Sequence, residues 1–264
     1  MNSSLPETAV PQTDFAALAD AAWPALERAR VGAWQVRFAE GVTRRANSAW
    51  PAGGEADASP GALAAVESAY RERGLPPLFQ LSGNDGAVRQ RLIGRGYRVA
   101  DETLVLAASV APLFDTSTDA AVELADEPSA EWLAVWWAVD GRGGDAELDV
   151  ARRILTGVPA LYAGLRVDGA VVSVARLALV GGGWGGLYTV ATLPDHRRRG
   201  YSERVVRALL AAGAARGVRD AWLQVLASNS GAIALYSRVG FTEAGRYSYL
   251  VGRLAVPPAG ACRA

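Results

Sequence analysis

The sequence predicts an α/β (α+β) fold made of two related units, a complete C-terminal one and a partial N-terminal one. Two hydrophobic periods carry the fold class. Residues 160–180, "ALYAGLRVDGAVVSVARLALV", alternate as two strands about an Asp168-Gly169 turn, whereas Val205, Val206, Leu209 and Leu210 recur as one stripe of a helix. A repeat carries the division in two. "FQLSGNDGAVRQRLIGRGY" (79–97) parallels "LQVLASNSGAIALYSRVGF" (223–241), each running strand, Asn, short helix, Gly, aromatic. Asn84 matches Asn229, Gly96-Tyr97 matches Gly240-Phe241, and Leu92 falls where Tyr236 stands.

In chain order, residues 1–12 are polar and Pro-bearing and are expected to form a flexible arm. A helix is predicted over 13–30, kinked or restarted at Pro24. A hairpin is predicted around Glu40-Gly41, then a helix at about 61–73, a strand at "PLFQLS", a helix at "GAVRQRLIGRG", and one or two strands in "YRVADETLVLAAS". These elements place a degenerate unit at 13–108 and a linker at 109–119. The second unit, 120–254, reads as a strand, two helices, the 160–180 hairpin, and the strand "GWGGLYTVAT". An arginine-rich loop and a helix capped by Gly217 follow, then the strand "AWLQVLA", a helix, and a terminal strand pair. Residues 255–264 are expected to be a flexible tail.

Composition narrows the function. The 264 residues carry 27 basic and 27 acidic side chains and are 50% hydrophobic, too balanced to coat nucleic acid and too apolar for disorder. Every basic residue is arginine. One cysteine, Cys262, and one histidine, His196, leave no disulfide, no Cys- or His-based metal site and no Ser-His-Asp triad. No run of 18 apolar residues occurs, and Glu7 and Asp14 interrupt the N-terminus, so a cytoplasmic protein away from membranes is expected.

The stretch "PDHRRRGYSERVVRALL" (194–210) concentrates charge and backbone freedom at a helix start. The first turn of a helix leaves four N–H groups unpaired and carries about half a positive charge, so a strand turning through glycine into a helix forms an anion site. Gly200 permits close approach, Ser202 leaves the donors uncovered, and Arg197, Arg198 and Arg199 can pair with phosphate. Spacing alone leaves open a solvated basic loop over a surface helix. Neither the G-x-G-x-x-G nor the G-x-x-x-x-G-K-[ST] spacing is present.

The wider pattern resembles the GNAT superfamily of acyl-CoA-dependent N-acyltransferases. There a fourth strand runs into P-x-x-R/Q-x-x-G-x-G/A and a helix, matched here by Pro194, Arg197 and Gly200, with Ser202 replacing the last Gly/Ala. Some forty residues on, the family has a strand, an Asn and a helix ending in LY-x-x-x-GF, matched by Asn229, Leu235-Tyr236 and Gly240-Phe241. The resemblance covers roughly 120–254, and the first half resembles only the later portion of the same fold, as in tandem members. It implies a mixed central sheet flanked by helices and acetyl-CoA as cosubstrate, without a metal. The pyrophosphate is then held by Arg197 to Ser202, Tyr201 included, the pantetheine by Val190, Ala191 and Thr192 on a splayed fourth strand, with Asn229 also contacting the cofactor.

Transfer to an amine requires positioning, stabilisation of an oxyanion and protonation of the thiolate. Tyr236 lies seven residues after Asn229, about 10 Å along one helix face, and a phenol is protonated at neutral pH. It is the expected general acid, against the plainer alternative of a core tyrosine. Several relatives place a glutamate base where this chain has Gln224, which cannot accept a proton. Asp140, Asp145, Glu147 and Asp149 are candidate bases, Tyr188 could orient a water, and His196 reads as a surface loop residue. Trp132 and Trp136 should share a core face, while Trp137 could wall the acceptor site. Arg44-Arg45 reads as a solvated strand edge that could also contact the acceptor or the second unit. The expected activity is N-acetylation of a small-molecule or peptide primary amine by a monomer or homodimer. Gln224 leaves open a second reading, a non-catalytic acyl-CoA sensor.

Overall fold

The computed structural model describes residues 13–53, 55–83, 85–110 and 119–253. The expected arm at 1–12, most of the 109–119 linker, Asn84 and the 255–264 tail lie outside the described residues.

The N-terminal half begins with α1 (Phe15–Ala22), capped by Asp14, whose carboxylate accepts from Ala16 and Ala17 N–H at 3.1 and 3.0 Å. The helix stops there instead of continuing to residue 30. Pro24 cannot supply the next helical N–H, and β1 (Glu27–Val31) and β2 (Trp34–Phe38) follow as a hairpin. The hairpin therefore turns at Gly32, not at Glu40-Gly41 as the alternation suggested. Glu40 and Gly41 do turn the chain, with φ of 52° and 79°, but the segment beyond is wrapped on the Asn47 side chain. Its amide accepts from Ala39 and Gly41 N–H and donates to the Val42 and Thr43 carbonyls, replacing a strand ladder. Only β3 (Trp50–Pro51) then pairs with β2. The half ends with α2 (Pro60–Arg71), β4 (Leu78–Ser82), α3 (Gly86–Gly94) and one long β5 (Arg98–Ser109).

The C-terminal half runs β6 (Val122–Ala125), α4 (Ala130–Asp140), α5 (Asp145–Leu155), β7 (Ala160–Val167), β8 (Ala170–Val180), β9 (Trp184–Thr192), α6 (Tyr201–Ala215), β10 (Asp220–Leu226), α7 (Ser230–Arg238) and β11 (Thr242–Val251). Where two strands were expected, Thr242–Val251 form the single β11 with two register shifts against β5. The β7–β8 turn uses Asp168 and Gly169, both at positive φ.

Both halves share one eight-stranded sheet of order β4-β11-β5-β10-β9-β8-β7-β6. Every neighbouring pair is antiparallel except β10–β9, so the sheet is mixed. Here the repeat takes physical form. The strand-helix-strand β4-α3-β5 and its counterpart β10-α7-β11 exchange last strands, β5 pairing with β10 and β11 with β4. Helices α1, α4 and α5 cover one face through Trp23, Trp136 and Ile154, against Tyr188 and Trp222 of the sheet. Helices α6 and α7 cover the other through Val206, Leu210 and Val239, against Leu187 and Leu223. A third cluster joins β2, α2, β4 and α3 around Trp34 and Phe79.

The exchange makes β5 a structural part of the C-terminal half, since it fills the sheet between β10 and β11. A fragment spanning 119–253 is expected to lack a cooperative thermal transition by circular dichroism, while the whole chain shows one; a cooperative fragment would contradict this.

Candidate functional site

β10 follows β9 only from Asp220–Leu223 against Trp184–Leu187, and beyond that point the two strands share no ladder. The separation has a local cause. Between the pairs Arg176↔Tyr188 and Val174↔Ala191, β9 carries one residue more than β8, a bulge that bends it away. Thr189 within the bulge sits at φ 54°, a conformation that costs a β-branched residue about 1–3 kcal/mol. The edge of β9 through Val190, Ala191 and Thr192 is thereby opened.

After Thr192 the chain makes a 3-10 turn (Pro194–His196), passes Arg198 at φ 60° and Gly200 at φ 77°, and enters α6. No side chain caps α6, so the amides of its first turn keep their hydrogen-bonding capacity. A Cβ on Gly200 meets nothing within 4 Å, so glycine answers the backbone angle there, not a lack of room. Three hydroxyls tie the loop to the sheet: Ser173 to Thr192 at 2.7 Å and Thr192 to Ser202 at 2.7 Å, with Ser173 also donating to the Ala191 carbonyl. Arg197 Nε donates to the Thr192 carbonyl at 3.2 Å.

A cleft of about 530 Å³ joins these parts. Val190, Ala191, Thr192, Arg197, Arg198, Gly200, Tyr201, Ser202, Asn229 and Tyr236 all border it. Of the residues expected here only Arg199 does not; it is exposed outside the lining. Val139 of α4 also borders the cleft, although α4 and α6 cover opposite faces of the sheet. The cleft thus reaches through the opening between β9 and β10. Glu203 is the one carboxylate on its wall among the described residues. Despite partial desolvation, hydrogen bonds from Arg207 and Arg238 hold it below the usual carboxylate range.

Asn229 caps α7, accepting from Ala232 N–H at 3.1 Å. Two turns on, Tyr236 is largely buried against Phe241, with its hydroxyl making no hydrogen bond among the described residues. Burial pushes this phenol well above its ordinary value, although Arg45 pulls the other way. Tyr188 is likewise pushed up to about 12 by burial, again opposed by Arg45. His196, expected as a surface loop residue, is half-buried on the cleft wall. Of the candidate bases, Glu147 accepts from Gly144 N–H at the start of α5, and Asp140, Asp145 and Asp149 are exposed. Trp132 and Trp136 are buried together, and Trp137 packs at their edge.

Arg45 is not a solvated strand edge; of the readings given for Arg44-Arg45, it takes the contact with the second unit. Its Nε donates to Gln224 Oε1 at 2.7 Å, and its guanidinium lies 5.7 Å from the centre of the Tyr188 ring. Because 179 positions separate the bonded pair, no local signal could have revealed it. Among the described residues no three His, Cys, Asp or Glu side chains gather as a metal site, and no helix is long and apolar enough to cross a membrane.

A family model described as "Probable histone acetyltransferase Rv0428c C-terminal" matches residues 13–250, most of the chain. An uncharacterized N-acetyltransferase, YobR of Bacillus subtilis, is 26% identical over 242 residues, covering 89% of this chain and 96% of that one. Among solved structures, a GCN5-related N-acetyltransferase from Kribbella flavida has a TM-score of 0.67 at 21% identity, over 93% of this chain and 96% of its own. A tandem GNAT protein from the clavulanic acid biosynthesis pathway has a TM-score of 0.61 at 15% identity, over 80% and 76%. These two likenesses are of fold.

Thr192→Val keeps shape but removes the hydroxyl that links Ser173 to Ser202. Denaturant unfolding should show a loss of about 1–3 kcal/mol, the cost of unsatisfied buried polar groups; an unchanged midpoint would show that the loop is anchored otherwise.

Proposed function

The chain belongs to the family of the Rv0428c C-terminal region, N-acetyltransferases of the GNAT type, and from that premise we propose that it moves an acetyl group from acetyl-CoA to a primary amine by direct attack. The observation that carries the proposal is the continuity of the cleft from the uncapped start of α6, along the open edge of β9, to the Tyr236 hydroxyl. Size, unpaired amides and the adjacent Arg197 and Arg198 suit a diphosphate at one end and an extended thiol arm along the other.

In this reading the amides from Arg197 to Ser202 hold the diphosphate, and Val190, Ala191 and Thr192 hold the pantetheine arm. Acetyl-CoA supplies the activated acyl group when bound. Tyr236 keeps a proton on its hydroxyl for the departing thiolate, and its burial keeps that proton in place far into the alkaline range. Gln224 takes no part in proton removal, because an amide is not a base and its Oε1 already accepts from Arg45. The amine's proton leaves to water or to an exposed carboxylate such as Asp140. The transferase centre lies in the 120–254 unit. The 13–108 unit is a degenerate copy in tandem with it, without the arginine-glycine loop, and serves as an internal partner.

Saturating acetyl-CoA at about a hundred times its Kd should stabilise the protein by about 2.7 kcal/mol through mass action. Gly200→Glu should abolish that shift by setting a carboxylate in the anion site. An unshifted native protein would sink the cofactor assignment.

Tyr236→Phe should lower kcat by about a hundredfold or more, the scale of general acid catalysis, with the acetyl-CoA thermal shift unchanged. Since burial raises this phenol above its ordinary value of about 10, it should produce no fall in kcat on the alkaline side up to that pH. Equal rates in the variant would make the phenol structural.

A further inference from the structure

Arg45 is the charged group that acts on the Tyr236 hydroxyl, and it comes from the other half of the chain. It is delivered by a built segment, not a loose loop. Asn47 ties the 39–43 turn by its side-chain amide, and Trp23 Nε1 donates to Thr43 Oγ1 at 3.0 Å. The guanidinium is half-buried and spends one donor, Nε–H, on Gln224. Its Nη1 and Nη2 edge, the fork that fits a carboxylate, makes no hydrogen bond among the described residues.

The surroundings are unusual in charge. Besides Gln224, the groups that act on Arg45 are the hydroxyls of Tyr247, Tyr249 and Tyr188 and the carboxylate of Asp140. Asp140 is exposed and forms no ion pair with Arg45 among the described residues. A second guanidinium, Arg176 of β8, lies 6.0 Å from the same Tyr188 ring. It is fully buried, held by the Ala22 carbonyl and the Tyr162 hydroxyl, with its Nη2 unsatisfied. Two positive groups with no paired acid therefore flank one aromatic wall. That wall lies on the face covered by α1, α4 and α5, opposite α6 and α7, the same side of the sheet from which Val139 borders the cleft. Arg45 is not on the wall of the cleft itself, yet its charge acts on Tyr236, which is.

We propose that the Nη edge of Arg45 binds a carboxylate carried by the acceptor, so that the acceptor is an amine with a carboxylate a few bonds from its nitrogen. The inference rests on the acetyl transfer proposed above and adds the substrate class. A guanidinium–carboxylate fork fixes both distance and orientation, so it turns the neighbouring amine toward the reacting carbonyl. A polycationic acceptor such as a lysine-rich tail meets two guanidiniums and one exposed acid, an electrostatic mismatch.

The test titrates the CoA-loaded protein, by calorimetry, with amino acids, their matching amino acid amides and a lysine-rich peptide. Each acid should bind roughly ten-fold more tightly than its amide, the scale of one charge-assisted contact. Arg45→Met should erase that preference and Arg45→Lys should restore part of it, with the affinity for CoA itself unchanged in both. Arg45→Lys preserves the charge and much of the packed stem, so it remains informative should the methionine variant fail to fold. Equal binding of acids and amides, absence of binding by all of them, tighter binding of the lysine-rich peptide, or a preference that survives Arg45→Met each overturns the proposal. Failure of the chain to bind CoA at all, by contrast, strikes the cofactor assignment and is read from the CoA titration alone.

Discussion

The arrangement depends on a place where a sheet stops being a sheet. Backbone pairing between β9 and β10 ends at Leu187 and Leu223, and every group in the cleft lies beyond that point. Unpaired main chain is costly when buried, so such an opening must be held by something stronger than preference. On one side the Thr189 bulge bends β9 while its outer ladder to β8 continues to Thr192. On the other, β10 is fixed over its whole length by β5, from Asp220↔Ser109 to Leu226↔Thr103. Each strand is anchored to a neighbour that does not follow the other, and the gap cannot close without breaking one of those ladders.

This gives the N-terminal half a mechanical role independent of any chemistry. The strand that fixes β10 belongs to it, and its own β4 is completed in turn by β11. The two strand-helix-strand units support each other by exchange. Tyr236 and Leu92 occupy equivalent buried places in α7 and α3, yet only Tyr236 faces an open cleft, because only its half carries the bulged strand and the arginine-glycine loop.

The parts legible in the sequence were those fixed by local rules. The Asp168-Gly169 turn, the Gly217 cap, the Asn229 cap and the run from β9 through the glycine into α6 each follow from short-range backbone chemistry, and the structure has them where expected. The errors came where a side chain took over a backbone task or where pairing was distant. Asn47 bonding to five backbone groups removed the strand that alternation suggested after Gly41. Pro24 ended α1 early and moved the hairpin upstream. The exchange of β5 and β11, and the approach of Arg45 to Gln224, are long-range facts with no local trace.

Gln224 and Arg45 are best understood together. A glutamate at 224 would stand 2.7 Å from the Arg45 Nε, and a carboxylate with two acceptor oxygens would draw the guanidinium into a closed ion pair. That pair would satisfy the fork, cancel the charge beside Tyr188 and hold the acid deprotonated by its partner, a poor base as well as a blocked recognition group. The neutral amide does neither. It accepts one N–H and leaves the guanidinium's charge without a paired acid and its Nη edge without a hydrogen bond among the described residues. The amide at position 224 and the arrival of an arginine from the opposite half therefore fit together: under the proposal above, deprotonation of the amine is left to its surroundings and the unneutralised charge selects which amine enters.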